Sequence, residues 1–175
     1  PGVLPDVGKV PEDFQPGPEL IKKIMAMLDA RPKEAAELRA FSRLRLNAEV
    51  ACAAVLFTDI MRDVQRRGEG NPFDNTNTIY EGTSDDNALN DGVRRYRADP
   101  AAAAWLRGHY TPTGRISRPL VALHTTYDPL VPPWVTNAFP ETTAQAGTDS
   151  LFVQQYVQRP AHCGFTADEI RRSFD

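Results

Sequence analysis

The distribution of prolines is the feature that most limits how this chain can fold. A proline inside an α-helix costs about 3 kcal/mol, and the residue before a proline avoids helical backbone angles. Five of the 15 prolines lie at or before Pro18, and none occurs between Pro32 and Pro72. We therefore predict an extended arm over residues 1–18 and helices through the proline-free stretch that follows.

Apolar residues recur at helical spacing in the first two thirds of the chain. This spacing predicts a helix over residues 19–30. The longer pattern over residues 33–67 predicts two helices that break near Asn47, the second of them deeply buried. Residues 68–90 are rich in Gly, Asn, Asp, Thr and Ser, which is typical of a loop. Two short helices are predicted after this loop, over residues 87–97 and 100–107, so the first 115 residues are predicted to contain no strand.

The sequence pattern changes after residue 115. Residues 118–125 form a nearly continuous apolar run, which predicts a strand buried on both faces of a parallel sheet. A helix is predicted over residues 133–146 and a second strand over residues 150–157. Thr166 and Glu169 then form a capping box for a last helix. This strand, helix, strand, helix order predicts α/β architecture, in which two such strands need further strands beside them.

Composition excludes several classes of partner and cofactor. The 20 basic and 23 acidic residues give a net charge of -3 without a basic block, which argues against binding to nucleic acid or an anionic membrane. No apolar run approaches the roughly 20 residues of a membrane span. Oxygen-rich segments at residues 74–77 and 83–87 lack the spacing of an EF-hand, so we expect turns and caps there, with no metal and no cofactor. Two cysteines permit one disulfide or none and leave the compartment undecided.

Each predicted strand of the second region is followed by an ionisable side chain that catalysis uses. Asp128 follows the first strand and His162 follows the second. Because the carboxyl ends of parallel strands share one edge of a sheet, we expect these two side chains to lie close together. An aspartate in an Asp-Pro turn is ordinary turn chemistry by itself. Its pairing with an imidazole indicates two of the three groups of a Ser-His-Asp relay.

Residues 112–175 resemble the C-terminal part of an α/β-hydrolase of the serine esterase type. That family carries its triad in the order nucleophile, acid, histidine, with the acid after the seventh strand and the histidine after the eighth. The segment Arg-Pro-Leu-Val-Ala-Leu-His-Thr-Thr-Tyr-Asp-Pro-Leu-Val-Pro resembles the seventh strand and acid turn, and Ala-His-Cys-Gly-Phe-Thr resembles the histidine loop. The resemblance implies that Asp128 is the triad acid and His162 the base. It also implies a helical cap over residues 19–115 and a hydrolase core portion over residues 116–175.

The nucleophile of such a triad is missing from this chain. In the family the serine lies in a Gly-x-Ser-x-Gly turn, and none of the five serines here has that setting. We therefore expect the serine in an N-terminal hydrolase segment that precedes this chain, which also lacks an initiator Met. The expected partners are that segment and a small-molecule ester, and the chain alone is expected to be inactive. The alternative is a non-catalytic module of the same fold that binds a ligand or a partner.

Three interpretations of Cys163 remain open from the sequence. The first is a small buried side chain. The second is a disulfide to Cys52 or to a cysteine of the missing segment, as the resemblance to tannase-like and feruloyl-esterase-like hydrolases implies. The third is a thiol nucleophile, which is disfavoured because a residue next to His162 in an extended loop would point away from the imidazole.

Overall fold

The structure is a computed structural model that describes residues 9–174. The chain forms two compact units, Pro1–Tyr110 and Thr111–Asp175. The boundary between them falls shortly before the one predicted at residue 115. Residues 1–8 of the predicted arm lie outside the described residues, and residues 9–17 contain neither helix nor strand.

In the part that the structure describes, the first unit contains helices and loops but no strand, and we call it the helical unit. Its helices are α1 (Pro18–Asp29), α2 (Pro32–Ser42), α3 (Asn47–Arg67), α4 (Asp86–Gly92) and α5 (Pro100–Tyr110). Proline occupies the first turn of α1 and α2, where its missing N–H group is not needed. The predicted break near Asn47 is confirmed. Glu49 stabilises it, because its Oε2 accepts the backbone N–H groups of Arg45 and Leu46 at 2.8 and 3.0 Å.

The core of the helical unit is small and aliphatic. Helix α3 packs on α1 and α2, and the buried apolar residues are Val10, Ala35, Val50, Ala51, Ala53, Val55 and Ala102. The prediction that α3 is deeply buried is wrong, since Phe57 and Ile60 are 50% and 47% exposed. Leu56, Phe57 and Ile60 of α3 are exposed, although α1 and α2 pack on the same helix.

Asx side chains shape the loop between α3 and α5. Asn75 is buried, its Oδ1 accepts the N–H of Tyr96, and its Nδ2 donates to the carbonyl of Arg94 at 2.8 Å. Asp74 accepts the N–H groups of Thr76 and Ala98. These bonds hold residues 93–98 against the loop in a non-helical conformation. The predicted helix over residues 87–97 is therefore wrong in its second half, and α4 ends at Gly92.

The second unit contains the predicted mixture of strands and helices, and we call it the α/β unit. Its elements are β1 (Leu120–Tyr127), α6 (Pro133–Thr136), α7 (Ala138–Gln145), a 3-10 turn (Asp149–Leu151), β2 (Phe152–Pro160) and α8 (Ala167–Arg172). The two strands pair in parallel, from Leu120 opposite Phe152 to Thr125 opposite Val157. The single helix predicted over residues 133–146 is instead two short helices that meet at Asn137.

The strands of the α/β unit are less buried than their sequence predicts. Leu120 and Val153 are 41% and 49% exposed, so the prediction of burial on both faces is wrong for this chain. The buried side chains of the described α/β unit are all polar: Thr125, Asp128, Thr143 and Ser173. The short helices of this unit leave part of both sheet faces exposed. No helix in the described part of the chain has the combined length and apolar character that a membrane span requires.

Candidate functional site

Hydrogen bonds join the carboxyl ends of β1 and β2. The parallel register ends with Tyr127 opposite Pro160, after an irregularity between Thr125 and Tyr127. The N–H of Ala161 donates to the Tyr127 carbonyl at 3.0 Å. The buried Thr125 hydroxyl donates to the Ala161 carbonyl at 2.6 Å. The loops that follow the two strands therefore start from a fixed common position.

Asp128 begins the loop after β1, and its carboxylate is almost entirely enclosed. Its side chain is 1% exposed. Oδ1 accepts the backbone N–H groups of Leu130 at 2.8 Å and Val131 at 2.9 Å, which folds the Asp-Pro segment into a turn. Oδ2 lies 2.8 Å from Nδ1 of His162. Both oxygens of a buried carboxylate are thus satisfied, and the second is aimed at the histidine.

His162 lies in the loop after β2 with one ring nitrogen enclosed and the ring partly open to solvent. Its side chain is 43% exposed, although Nδ1 faces the enclosed Asp128 carboxylate. An ionised carboxylate can only accept, so Nδ1 is the donor. A neutral imidazole that donates from Nδ1 has its lone pair on Nε2. The tautomer set by Asp128 therefore leaves Nε2 able to accept a proton.

The environment of Asp128 favours its ionised form. Burial acts to raise the pKa of this carboxyl, but the hydrogen bonds from Val131, Leu130 and His162 outweigh burial and lower the pKa below its ordinary value. Asp128 is consequently a carboxylate at neutral pH. It can hold the tautomer of His162 and stabilise a positive charge on the ring.

Cys163 has an orientation that the sequence did not predict. Its φ angle is 53°, in the left-handed region, and its thiol is exposed and free. Sγ lies 3.8 Å from Nε2 of His162. The interpretation of Cys163 as a small buried residue is therefore wrong, and so is the expectation that it points away from the imidazole. Cys52 is also free and exposed, so the structure contains no Cys52–Cys163 disulfide.

An ion pair joins the two ends of the loop that carries His162. Arg159 at the end of β2 donates from Nη2 to Oε1 of Glu169 at 2.7 Å. Oε2 of Glu169 accepts from the N–H and hydroxyl of Thr166, which completes the predicted capping box of α8. Hydrogen bonds from Thr166 and Arg159 lower the pKa of Glu169 to about 2. The loop that carries His162 is therefore fixed at both ends.

Two supporting residues escaped the sequence analysis. The sequence predicts Thr125 only as part of a strand and assigns no role to Arg159. The capping box identified Glu169, but nothing in the sequence specified Arg159 as its partner. Thr125 carries a hydroxyl near a strand end, a feature common to many strands. Its partner is the carbonyl of Ala161, which only the fold brings near.

The remaining candidate residues have structural partners. His124 on β1 contacts the Val131 carbonyl through Nε2 at 2.9 Å, and His109 contacts the Trp105 carbonyl through Nδ1 at 2.8 Å. Asp85 accepts the N–H of Ala88 at the start of α4. In the described residues, no group of three or more His, Cys, Asp or Glu side chains could hold a metal ion. Over the same residues, the structure records no serine hydroxyl bonded to His162.

Comparisons with known proteins identified no family for this chain. The chain matched none of the protein families, curated proteins or solved structures with which it was compared.

Proposed function

We propose that Asp128 and His162 are the acid and the base of a serine hydrolase that acts on carboxylic esters. The observation that carries the proposal is the 2.8 Å contact between Oδ2 of the enclosed Asp128 and Nδ1 of the half-exposed His162. In this proposal the nucleophilic serine comes from a hydrolase segment outside the 175 residues. The resemblance of residues 112–175 to α/β-hydrolases supports the reaction type.

The mechanism assigns one role to each side chain. Nε2 of His162 removes the proton of the serine hydroxyl as it attacks the ester carbonyl, and then donates that proton to the leaving alcohol. Asp128 stays ionised throughout, holds the ring through Nδ1–H and stabilises the imidazolium. A water molecule then repeats the sequence on the acyl-enzyme, with His162 again as the base. No cofactor is required for these steps.

The exposed sheet supports the proposal that a further segment packs beside β1 and β2. Leu120, Val153 and Tyr156 are between 41% and 49% exposed. A parallel pair of strands is ordinarily covered on both faces. A hydrolase segment that added strands and helices would bury these side chains and bring a serine to the edge where His162 lies.

The gene sequence encoded before Pro1 separates this proposal from its alternative. A strand followed by Gly-x-Ser-x-Gly supports the hydrolase. A complete gene without such a motif overturns it in favour of a non-catalytic module that binds a ligand or a partner.

Labelling with a fluorophosphonate tests the chemistry directly. The 175-residue chain alone should remain unlabelled, and stoichiometric labelling would contradict a nucleophile located elsewhere. The longer gene product should be labelled on its serine and should hydrolyse p-nitrophenyl acetate. In that product Asp128→Asn should lower kcat about 10⁴-fold, because the imidazole would lose its tautomer and its counter-charge. Unchanged kcat in Asp128→Asn would overturn the assigned role, and His109→Gln is the matched control, because this histidine contacts the Trp105 carbonyl away from the site.

A further inference from the structure

We propose that Cys163 is a reactive thiol that His162 activates, and that it exchanges with small organic disulfides. This inference goes beyond the proposed function, because it requires only residues that this chain contains.

The proposal starts from three side chains arranged in series. The enclosed carboxylate of Asp128 contacts Nδ1 of His162 at 2.8 Å, and Nε2 on the other side of the ring contacts Sγ of Cys163 at 3.8 Å. Because Nδ1 donates to the carboxylate, Nε2 has the lone pair and can accept the thiol proton. Cysteines activated by a neighbouring histidine react through the thiolate. This series is therefore a thiol–imidazole–carboxylate relay.

The loop conformation explains why consecutive residues can contact each other. In extended backbone, neighbouring side chains point in opposite directions. The left-handed φ of 53° at Cys163 reverses that direction and brings the thiol back to the ring. Gly164 allows the tight loop, since a Cβ at this position would lie 2.5 Å from Cβ of Ala161. The Phe165 N–H donates to the Cys163 carbonyl at 3.0 Å and closes the turn.

Charge and access favour reaction at this thiol. The Asp128 carboxylate compensates the positive charge that the ring acquires when it takes the thiol proton. Arg159 and Glu169 face the other end of the loop, where their charges compensate each other at 2.7 Å. Cys163 is exposed and the His162 side chain is 43% exposed, so a small reagent can reach the sulfur from solvent.

The reaction balances with a disulfide as the only co-reactant. Nε2 of His162 takes the proton of Cys163, and the thiolate attacks one sulfur of the disulfide. A new sulfur–sulfur bond forms to Cys163 as the bond within the reagent breaks. The departing thiolate takes the proton from the imidazolium and leaves as a free thiol. No electrons enter or leave the system, and the imidazole returns to its starting state.

Cys52 provides an internal reference for the test. It is exposed and free on α3, so both cysteines can be followed in one sample. The intact chain is treated with bis(2-hydroxyethyl) disulfide at neutral pH, and the mixed disulfide at each cysteine is quantified by peptide mass spectrometry. Cys163 should react about tenfold faster than Cys52, because Nε2 of His162 is positioned to take the proton of the Cys163 thiol. In concentrated urea the two rates should become equal.

Variants separate activation from simple exposure. His162→Gln should reduce the rate at Cys163 to that of Cys52, and Asp128→Asn should reduce it in part. His109→Gln should leave it unchanged, since this exposed histidine bonds the Trp105 carbonyl. Hydrogen exchange at the β1 and β2 amides checks that each variant stays folded. Equal rates at both cysteines in the folded chain, or a fast rate that persists in folded His162→Gln, would overturn the proposal.

This experiment is independent of the serine hydrolase proposal. Fluorophosphonate labelling of the longer gene product does not require Cys163, and disulfide exchange does not require a serine. If one experiment gives a negative result, the other can still be interpreted.

Discussion

The helical unit and the α/β unit are stabilised by different kinds of interior. The helical unit buries aliphatic side chains such as Val50, Ala51 and Val55, whereas the buried side chains of the described α/β unit are polar. Helix faces can be covered by a neighbouring helix of the same unit. The strands have only each other and short helices, and hydrogen bonds around Thr125 and Asp128 join their ends. The candidate site therefore lies in the unit whose buried side chains are polar.

The largest expected loss of stability comes from a substitution at a backbone turn of the α/β unit. Gly114 has a φ of 69°, and a Cβ there would lie 2.2 Å from the carbonyl oxygen of Thr142. Gly114→Ala should destabilise the α/β unit by about 3 kcal/mol, because both the backbone angle and the contact are unfavourable. Urea unfolding followed by hydrogen exchange at the β1 and β2 amides measures this loss.

Gly147 provides a matched control for Gly114. Its φ is 71°, but a Cβ there would meet nothing within 4 Å. Gly147→Ala should therefore cost only about 1 kcal/mol, from the backbone angle alone. Equal losses of stability in Gly114→Ala and Gly147→Ala would show that the close contact with the Thr142 carbonyl contributes nothing.

Replacing a buried hydroxyl should have the next largest effect. Thr125→Val keeps the shape of the side chain but removes the hydrogen bond to the Ala161 carbonyl. We expect a loss of about 2 kcal/mol in the α/β unit, because the buried acceptor loses its donor. Amide exchange at β1 and β2 should accelerate, while exchange in α3 should not change. An unaffected α/β unit would show that polar contacts contribute little to its stability.

The reverse substitution in the helical unit should have a smaller effect. Val55→Thr places a hydroxyl in the aliphatic core at a position that is 5% exposed. The cost should be about 1 kcal/mol, since in a helix the hydroxyl can bond the carbonyl one turn earlier. Hydrogen exchange along α3 measures it, with the exposed Leu56 changed to Thr as the control. A cost above that of Thr125→Val would reverse the comparison between the two interiors.

Acid should weaken both units, each through its own carboxylate. Hydrogen bonds lower the pKa of Glu169 from 4.5 to about 2 and that of Asp74 from 3.8 to about 2. A carboxyl whose pKa is lower in the folded chain than in the unfolded chain stabilises the fold at pH values above its unfolded pKa. This stabilisation is lost as the pH falls towards 2. Glu169→Gln should flatten the pH dependence in the α/β unit, and Asp74→Asn should flatten it in the helical unit. The free energy of unfolding, measured between pH 5 and 2, tests this prediction. A pH dependence in either variant equal to that of the original chain would contradict it.

Local patterns in the sequence were sufficient for many features of the fold. Proline positions predicted where α1, α2 and α5 begin, because the effects of proline act within a few residues. Thr166 and Glu169 predicted the start of α8, because a capping box also acts within a few residues. An apolar run predicted the first strand, and aromatic and β-branched residues predicted the second. The order of these strands predicted that Asp128 and His162 lie at the same edge of the sheet.

Other features depend on contacts between residues far apart in sequence. The helix predicted over residues 87–97 ends early because Asn75 and Asp74 bind backbone groups of the later residues. Strand exposure depends on how many neighbours the sheet has, which the hydrophobicity of one strand does not specify. The orientation of Cys163 depends on a left-handed backbone angle at a residue type that seldom adopts it.

The sequence by itself therefore determined the order of the elements, the mixed α/β character and the proximity of an aspartate to a histidine. These follow from periodicity, capping and the geometry of parallel strands, which act locally or by general rule. Only the tertiary structure decided that Thr125 joins the two loops, that Asp128 is enclosed while His162 stays half exposed, and that the thiol of Cys163 faces Nε2. Distances of this kind depend on how distant segments pack, and no single stretch of sequence contains that information.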